Sequence, residues 1–368
     1  MDSTLSLQMG LANLGNTCFL NSVLQCLRLT PPMCSLFLTD RNIRKDSKKK
    51  ELLEAFQTLL KDIWKDHPNI GARPTMTPRG FYNSFLHVIR ENEDSWYTPG
   101  QQCCAGETIQ YILESLHDAM YKRVKMEISG SPDSPEEASH IKALASWAMF
   151  FGKEYSPIVE QFYGQTQKSV RCETCHNVSE TYEPWIVKEL PIPGADVVGG
   201  PVPDMLQCLQ SAFASETLDD YQCDNCHARR KACKTERISR LPPITILHLK
   251  RFTNNRQKVS GKVVWDLDSF RFDSVMAFRR DPFRDTRVET EYETYAVIEH
   301  HGSFNGGHYT MFGKQENAWN EYDDASVTEA TPDRVVSHNS YILFLMRKNQ
   351  SDAMRKECIE HIRKIRSR

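Results

Sequence analysis

The chain has 368 residues, 40% of them apolar and 26% charged, with a formal net charge of -2. That length and balance suit one large globular domain or two modest ones, and they lack the basic excess that nucleic acid or an anionic membrane surface demands. No uninterrupted apolar run reaches the about 18 residues of a membrane span, and MDSTLSLQMG carries an acid where a secretory leader is basic. Neither the Met-Asp start nor the RSR end is a lipidation signal. Twelve cysteines without an export signal point to a reducing compartment, cytoplasmic or nuclear, where thiols serve as nucleophiles, metal ligands or core residues.

The first half reads as helices. Thr17 to Leu27 is apolar on one face, and Leu52, Leu53, Phe56, Leu59, Leu60, Ile63 and Trp64 follow amphipathic helical spacing. Phe81, Phe85 and Ile89, then Ile109, Ile112, Leu113 and Leu116, repeat it. KDSKKK, Lys45 to Lys50, reads as a solvated loop or helix start, and ISGSPDSPEEASH, Ile128 to His140, as a flexible surface loop. After about Glu160 the period changes to two, in SVRCETC, PITILHLKRF, ETYAVIEHHG and SYILFLMRK, with Pro-Gly punctuation from Pro191 to Pro203. The basic tail from Asn349 sets Met354, Cys358, Ile362 and Ile365 near helical spacing and reads as a solvated terminal helix.

Two distant segments carry the chemistry. GLANLGNTCFLNSVLQCL places Cys18 where a Gly/Asn-rich turn enters a helix, with Asn16 or Thr17 as N-cap. A thiol attacks as thiolate, and a helix N-terminus favours the anion. Asn13 lies five residues upstream, with an amide able to donate to a developing oxyanion. Far downstream, His308 stands in NGGHYTMF, whose glycines would let another backbone pass close to the imidazole. Asp323 and Asp324 follow in AWNEYDDAS. A nucleophile, a base and a group that orients the base make a peptide or isopeptide hydrolase. His248 reads as structural and His301 as a residue that orients neighbours, while Cys26, Cys34, Cys208, Cys233 and Cys358 lack catalytic surroundings.

Cys172-x-x-Cys175 and Cys223-x-x-Cys226 are paired knuckles able to give four thiolates to one structural zinc ion. His176 and His227 follow them, so each knuckle also fits the haem-attachment pattern C-x-x-C-H, and a C-x-x-C dithiol fits redox chemistry. Beside the thiol-hydrolase segments and without an export signal, zinc is the expected occupant.

Together these segments resemble the ubiquitin-specific protease family of deubiquitinating enzymes. GLANLGNTCFLNSVLQCL is similar to its Cys box, and YAVIEHHGSFNGGHYTMF with AWNEYDDASV to its His box. RLPPITILHLKRF, Arg240 to Phe252, is similar to the strand ahead of its palm. The resemblance implies an α+β, papain-like fold of thumb, fingers and palm in one domain over 1–348: 1–160 helical thumb, 161–240 zinc-bound fingers, 241–348 palm, with 349–368 as tail. It implies Cys18 as nucleophile, His308 as base, Asp323 as triad acid, Asn13 as oxyanion donor and Asp324 as a supporting acid. Cys172, Cys175, Cys223 and Cys226 match the fingertip Zn2+ ligands. The implied reaction cleaves the isopeptide or peptide bond after the C-terminal Gly-Gly of ubiquitin through an acyl-enzyme, with ubiquitin or ubiquitinated proteins as partners. Its alternatives are another ubiquitin-like modifier or a non-catalytic ubiquitin-binding scaffold. One segment departs from the family: Gln101-Gln102-Cys103-Cys104-Ala105-Gly106-Glu107-Thr108 has Cys104 for an aspartate and Thr108 for a phenylalanine. In the family that acid lies along the channel for the modifier's tail, whose arginines favour carboxylates.

Overall fold

The computed structural model describes residues 8–39, 44, 46–65, 74–91, 96–194, 203–253, 255–281, 283, 286–304 and 306–366. Among these, no helix is long and apolar enough to cross a membrane. A short strand, β1 (Gly10–Leu11), leads into α1 (Cys18–Leu29), α2 (Pro31–Phe37) and α3 (Lys50–Trp64). A second short strand, β2 (Thr75–Met76), pairs in parallel with β1. The helices α4 (Arg79–Glu91), α5 (Ala105–Asp118), α6 (Pro135–Phe151) and α7 (Pro157–Phe162) complete the helical half. The apolar periodicity places its residues well: all seven apolar residues that it assigns to α3 are buried, as are Phe81, Phe85 and Ile89 of α4 and the four of α5.

Helix α1 is buried along Cys18 to Arg28, polar residues included. A helix buried on all faces must satisfy its polar side chains internally. Gln25 Nε2 donates to the Met9 carbonyl at 2.8 Å, and Arg28 Nε donates to Gln25 Oε1 at 2.8 Å while its guanidinium lies over the Trp64 ring.

The segment expected as a loop over Ile128–His140 is helical from Pro135. Ser134 Oγ accepts from Glu137 N at 3.1 Å, Pro135 takes the first turn, and Glu136 and Glu137 sit where the dipole favours acids. The composition that suggests a loop is here a helix start. Of the Pro191–Pro203 segment, 195–202 lie outside the described residues, as do 40–43 and Lys45, the first residue of the KDSKKK run.

Two hairpins form a four-stranded antiparallel sheet in the order β4-β3-β7-β6, from β3 (Gly164–Cys172), β4 (Val178–Trp185), β6 (Glu216–Cys223) and β7 (Ala228–Arg240). Between them lie β5 (Val187–Leu190) and α8 (Met205–Ala212), the helix opened by an Asp204/Gln207 capping box. A larger, eight-stranded sheet follows. It uses β8 (Ile244–Leu249), β12 (Glu291–Ser303), β13 (Gly306–Gln315), β14 (Ala318–Asp323), β15 (Ser326–Ala330) and β16 (Ser340–Arg347). Its order is β15-β14-β13-β12-β16-β8-β5, with β9 (Phe270–Arg271) beside β12; β10 (Arg280–Asp281) and β11 (Thr286–Arg287) pair separately. The strand in PITILHLKRF belongs to the large sheet, next to β16. A short helix, α9 (Pro332–Val335), precedes β16, and α10 (Lys348–Arg366) ends the described chain.

The tail is not solvated on all sides. Its helix α10 packs on α2, α3, β12 and β16. Ile362 is buried, and Met354, Cys358 and Ile365 lie against the same core as α1. The apolar stripe wins over the basic composition because Arg363 and Lys364 are exposed beside it, while Arg366 Nε donates to the Trp64 carbonyl at 3.2 Å.

Candidate active site

Cys18 is the first residue of α1, and α1 packs across β13, the strand that carries His308. His308 Nε2 bonds Asp323 Oδ1 at 2.6 Å, from β13 to the last residue of β14. The fold therefore brings the helix start, the imidazole strand and the acidic turn to one edge of the large sheet.

Thr17 is the N-cap of α1, but its side chain does not cap the helix. Thr17 Oγ1 instead accepts from Leu14 N at 2.8 Å and closes the preceding turn. Asn16, at φ 55, donates through Nδ2 to the Gly100 carbonyl at 2.8 Å. Burial pushes the Cys18 thiol above its ordinary value, and the Asp324 carboxylate pushes the same way. The backbone N–H groups of Tyr309, Phe19 and Cys18 oppose them. The helix start does favour the anion, as its sequence position implies, but desolvation wins. At only 2% exposure, this thiol needs a base to ionise.

Asn13 is held at both ends of its amide. Its Oδ1 accepts from Gly15 N at 2.9 Å and Thr17 N at 3.2 Å, while its Nδ2 donates to Asp324 Oδ2 at 2.8 Å. Asp324, at φ 48 in the turn between β14 and β15, accepts on its other oxygen from Asn21 Nδ2 at 2.7 Å. Its carbonyl accepts from Leu11 N at 2.8 Å. That close approach needs Gly10, where a Cβ would meet the Ala325 carbonyl oxygen at 2.2 Å. Asp324 thus contacts the asparagines of the opening segment, whereas Asp323 contacts the imidazole.

Sequence reasoning missed Asn21 and the contact made by Gln102. Asn21 left a faint signal, a polar residue inside a helix otherwise buried on every side. Gln102 stands in the segment compared with the family motif, but its contact left no signal, because its partners are backbone atoms: Gly307 N donates to its Oε1 at 2.8 Å, and its Nε2 donates to the Gly307 carbonyl. The glycines before His308 are not equally open to a second chain. Space around Gly306 is free, but a Cβ on Gly307 would meet His300 Nε2 at 2.4 Å.

At the departing segment, Cys104 is the N-cap of α5 and its Sγ lies 3.7 Å from Tyr341 Oη. Burial raises its thiol, so it stays neutral. Thr108 is fully buried and bonds the Cys104 carbonyl through Oγ1 at 2.9 Å. His248, as its sequence context suggests, is a core residue against Tyr341, and burial lowers it to about 4. Its 3.9 Å approach to Glu189 is therefore not an ion pair. His301 lies between Thr310 Oγ1 at 3.0 Å and Asn339 Nδ2 at 3.1 Å.

At the tips of the two hairpins, Cys172, Cys175, Cys223 and Cys226 gather with their sulfurs within 4.8 Å of one another. Cys172 and Cys226 are 3.9 Å apart, Cys175 and Cys223 3.6 Å. Tetrahedral zinc with Zn–S near 2.3 Å spaces its sulfurs about 3.8 Å apart, so the donor set fits that ion. His176 and His227 take matching positive φ values, 59 and 51, after the second cysteine of each knuckle. They shape the turns and are absent from the thiol cluster.

An α+β chain with a helical half, a cysteine-tipped four-stranded sheet and a Cys/His/Asp edge on a larger sheet has the architecture of a papain-like thiol hydrolase. Residues 9–345 match the family described as ubiquitin carboxyl-terminal hydrolase, and the chain belongs to that family. It is 29% identical over 345 residues to Drosophila melanogaster ubiquitin carboxyl-terminal hydrolase Usp2, covering 92% of this chain and 34% of that protein. Human ubiquitin carboxyl-terminal hydrolase 2 is 30% identical over 354 residues, covering 91% and 54%. The chain thus spans between a third and about half of these relatives. Among solved structures, the SAGA DUB module Ubp8/Sgf11/Sus1/Sgf73 bound to monoubiquitin superposes with TM-score 0.67 at 21% identity, covering 92% of this chain and 68% of that one. The same module bound to ubiquitin aldehyde gives 0.66 at 21%, with 94% and 70% covered. At these identities the structures speak for the fold.

Proposed function

We propose that this chain is a thiol-dependent deubiquitinase that hydrolyses the isopeptide or peptide bond after the C-terminal Gly-Gly of ubiquitin. The observation that carries it is the 2.6 Å bond between His308 Nε2 and Asp323, with Cys18 packed against the next residue, Tyr309. Asp323 binds the imidazole at Nε2, which leaves Nδ1 to serve the thiol. His308 takes the thiol proton, Cys18 attacks the Gly carbonyl, and the imidazolium then protonates the departing lysine amine. Water hydrolyses the acyl-enzyme by the same route in reverse. Asn13 donates to the oxyanion, and Asp324 orients Asn13. Two glycines contribute little binding energy, so the folded modifier needs an extended surface, which the hairpin sheet would supply.

Cys172, Cys175, Cys223 and Cys226 would hold one structural Zn2+, which joins the two hairpin tips and takes no part in the reaction. A reducing compartment, cytosol or nucleus, suits a chain whose twelve cysteines are all unpaired.

The neutral Cys104 in place of an acid favours a second reading, the same hydrolysis on another ubiquitin-like modifier. Ubiquitin and ubiquitin-like probes with a thiol-reactive C-terminal electrophile separate the two. An adduct with ubiquitin alone, lost in Cys18→Ala, supports the first. Labelling confined to another modifier supports the second. No labelling by any probe leaves a binding scaffold.

A further inference from the structure

The strand that carries His308 is half-edged. β13 pairs with β12 throughout the hairpin, from Ala296↔Gly313 to Ser303↔Gly306. On its other side, the pairing with β14 runs only from Gln315↔Ala318 to Met311↔Tyr322. From Gly306 to Thr310, therefore, no strand among the described residues satisfies the backbone groups on the side away from β12. Alternate residues of a strand aim their N–H and C=O the same way, so Gly307 and Tyr309 both face that open side. Unpaired groups on such an edge leave the strand free to fray, most of all where it opens with two glycines.

Two side chains from the helical half take the place of the missing strand. The Tyr309 N–H faces the Cys18 thiol. At Gly307, the Gln102 carboxamide bonds both backbone groups, accepting from N at 2.8 Å and donating to the carbonyl. His308 lies between these contacts. The loop that carries Gln102 also accepts Asn16 Nδ2 at the Gly100 carbonyl, 2.8 Å away, one turn before Cys18. A single loop ahead of α5 thus holds the nucleophile's turn and the imidazole's strand in one frame. Behind the strand, the His300 ring packs where Gly307 has no Cβ.

We propose that Gln102 is a positioning residue: by closing the open edge of β13 at Gly307, it holds His308 in the register that sets its imidazole against Cys18. The inference rests on the thiol-hydrolase reading above. Gln102 touches no reacting atom and acts through the backbone alone.

The test compares the full chain with Gln102→Ala and Gln102→Glu. Glutamate keeps the length and the acceptor but turns a second oxygen on the Gly307 carbonyl, so it shares the defect and serves as the second variant if alanine fails to fold. Amide exchange over Gly306–Thr310 should quicken about tenfold as the edge opens. The pH at which iodoacetamide alkylates Cys18 half-maximally should move upward. On a ubiquitin C-terminal fluorogenic substrate, kcat should fall about 10²-fold with KM within about twofold, as expected for a misplaced base.

Unchanged exchange and an unchanged alkylation curve would overturn the proposal. A loss confined to KM would also overturn it, since Gln102 would then contact substrate. If the wild type cleaves no ubiquitin or ubiquitin-like substrate, the hydrolase reading fails. Exchange and alkylation need no substrate and still decide the role of Gln102.

Discussion

Asn13 and Asp324, 311 residues apart in the chain, are joined by a 2.8 Å hydrogen bond from the asparagine Nδ2 to the carboxylate. The bond uses one amide hydrogen and leaves the other for an oxyanion. It also divides the acidic pair, giving Asp323 to the imidazole and Asp324 to Asn13, the proposed oxyanion donor. Asn13→Ala should lower kcat about 10²–10³-fold with the fold intact. Asp324→Ala should lower it too, and the double variant should fall short of the product of the two effects. Purely multiplicative losses would mean that Asp324 acts elsewhere.

Burial raises the Cys18 thiol above its ordinary value. Without its base it should be almost wholly protonated at neutral pH. We expect His308→Ala to abolish turnover and to leave Cys18 alkylation slow until the solution is well alkaline, rising with pH as thiolate forms. Alkylation of His308→Ala at pH 7 as fast as wild type would show that the backbone N–H groups alone make the thiolate.

Purified protein should carry about one zinc ion per chain by elemental analysis. Cys223→Ser, or exhaustive chelation, should lower the melting temperature, because metal binding to a site absent from the unfolded chain adds to folding free energy. A metal-free chain with unchanged melting and activity would overturn the proposed zinc site.

His248 and His300 are each pushed down to about 4, burial being the first cause. Their unfolded counterparts take up a proton near 6.5, so acid favours unfolding. Stability from these residues is intact above about pH 6.5 and falls as pH drops towards 4, by up to about 3 kcal/mol each. Melting temperature measured across that window should fall less steeply in His300→Gln than in wild type. Equal slopes would show that other groups set the acid limit.

Ile362 is 3% exposed on the face of α10 that meets α2 and α3. Ile362→Ala should cost about 2–5 kcal/mol in chemical denaturation. A change under about 0.5 kcal/mol, as for a surface residue, would show that the helix is only loosely docked.

Much of this was readable in one dimension, and the misses share a cause. Helices α3, α4 and α5 announce themselves because their apolar faces repeat at the helical period, and that period is local. Ser134-Pro135-Glu136-Glu137 is just as local, but its composition suits a loop and a helix start equally. The docking of α10 could not be read from its basic residues, since a stripe of Met354, Cys358, Ile362 and Ile365 needs a partner surface before it is worth burying. Gln102 is silent in the sequence because backbone atoms have no residue-type signature.

The sequence by itself determined the candidate reactive groups and the candidate metal donors: a cysteine at a helix start, a histidine after two glycines, an acidic pair, and two C-x-x-C knuckles. Each is specified by neighbours within a few residues, where turn and helix-end chemistry operate. Only the tertiary structure decided which way the Cys18 thiol is shifted and what closes the open edge of β13. Those depend on desolvation and on hydrogen bonds between segments hundreds of residues apart, and neither exists until the chain has packed.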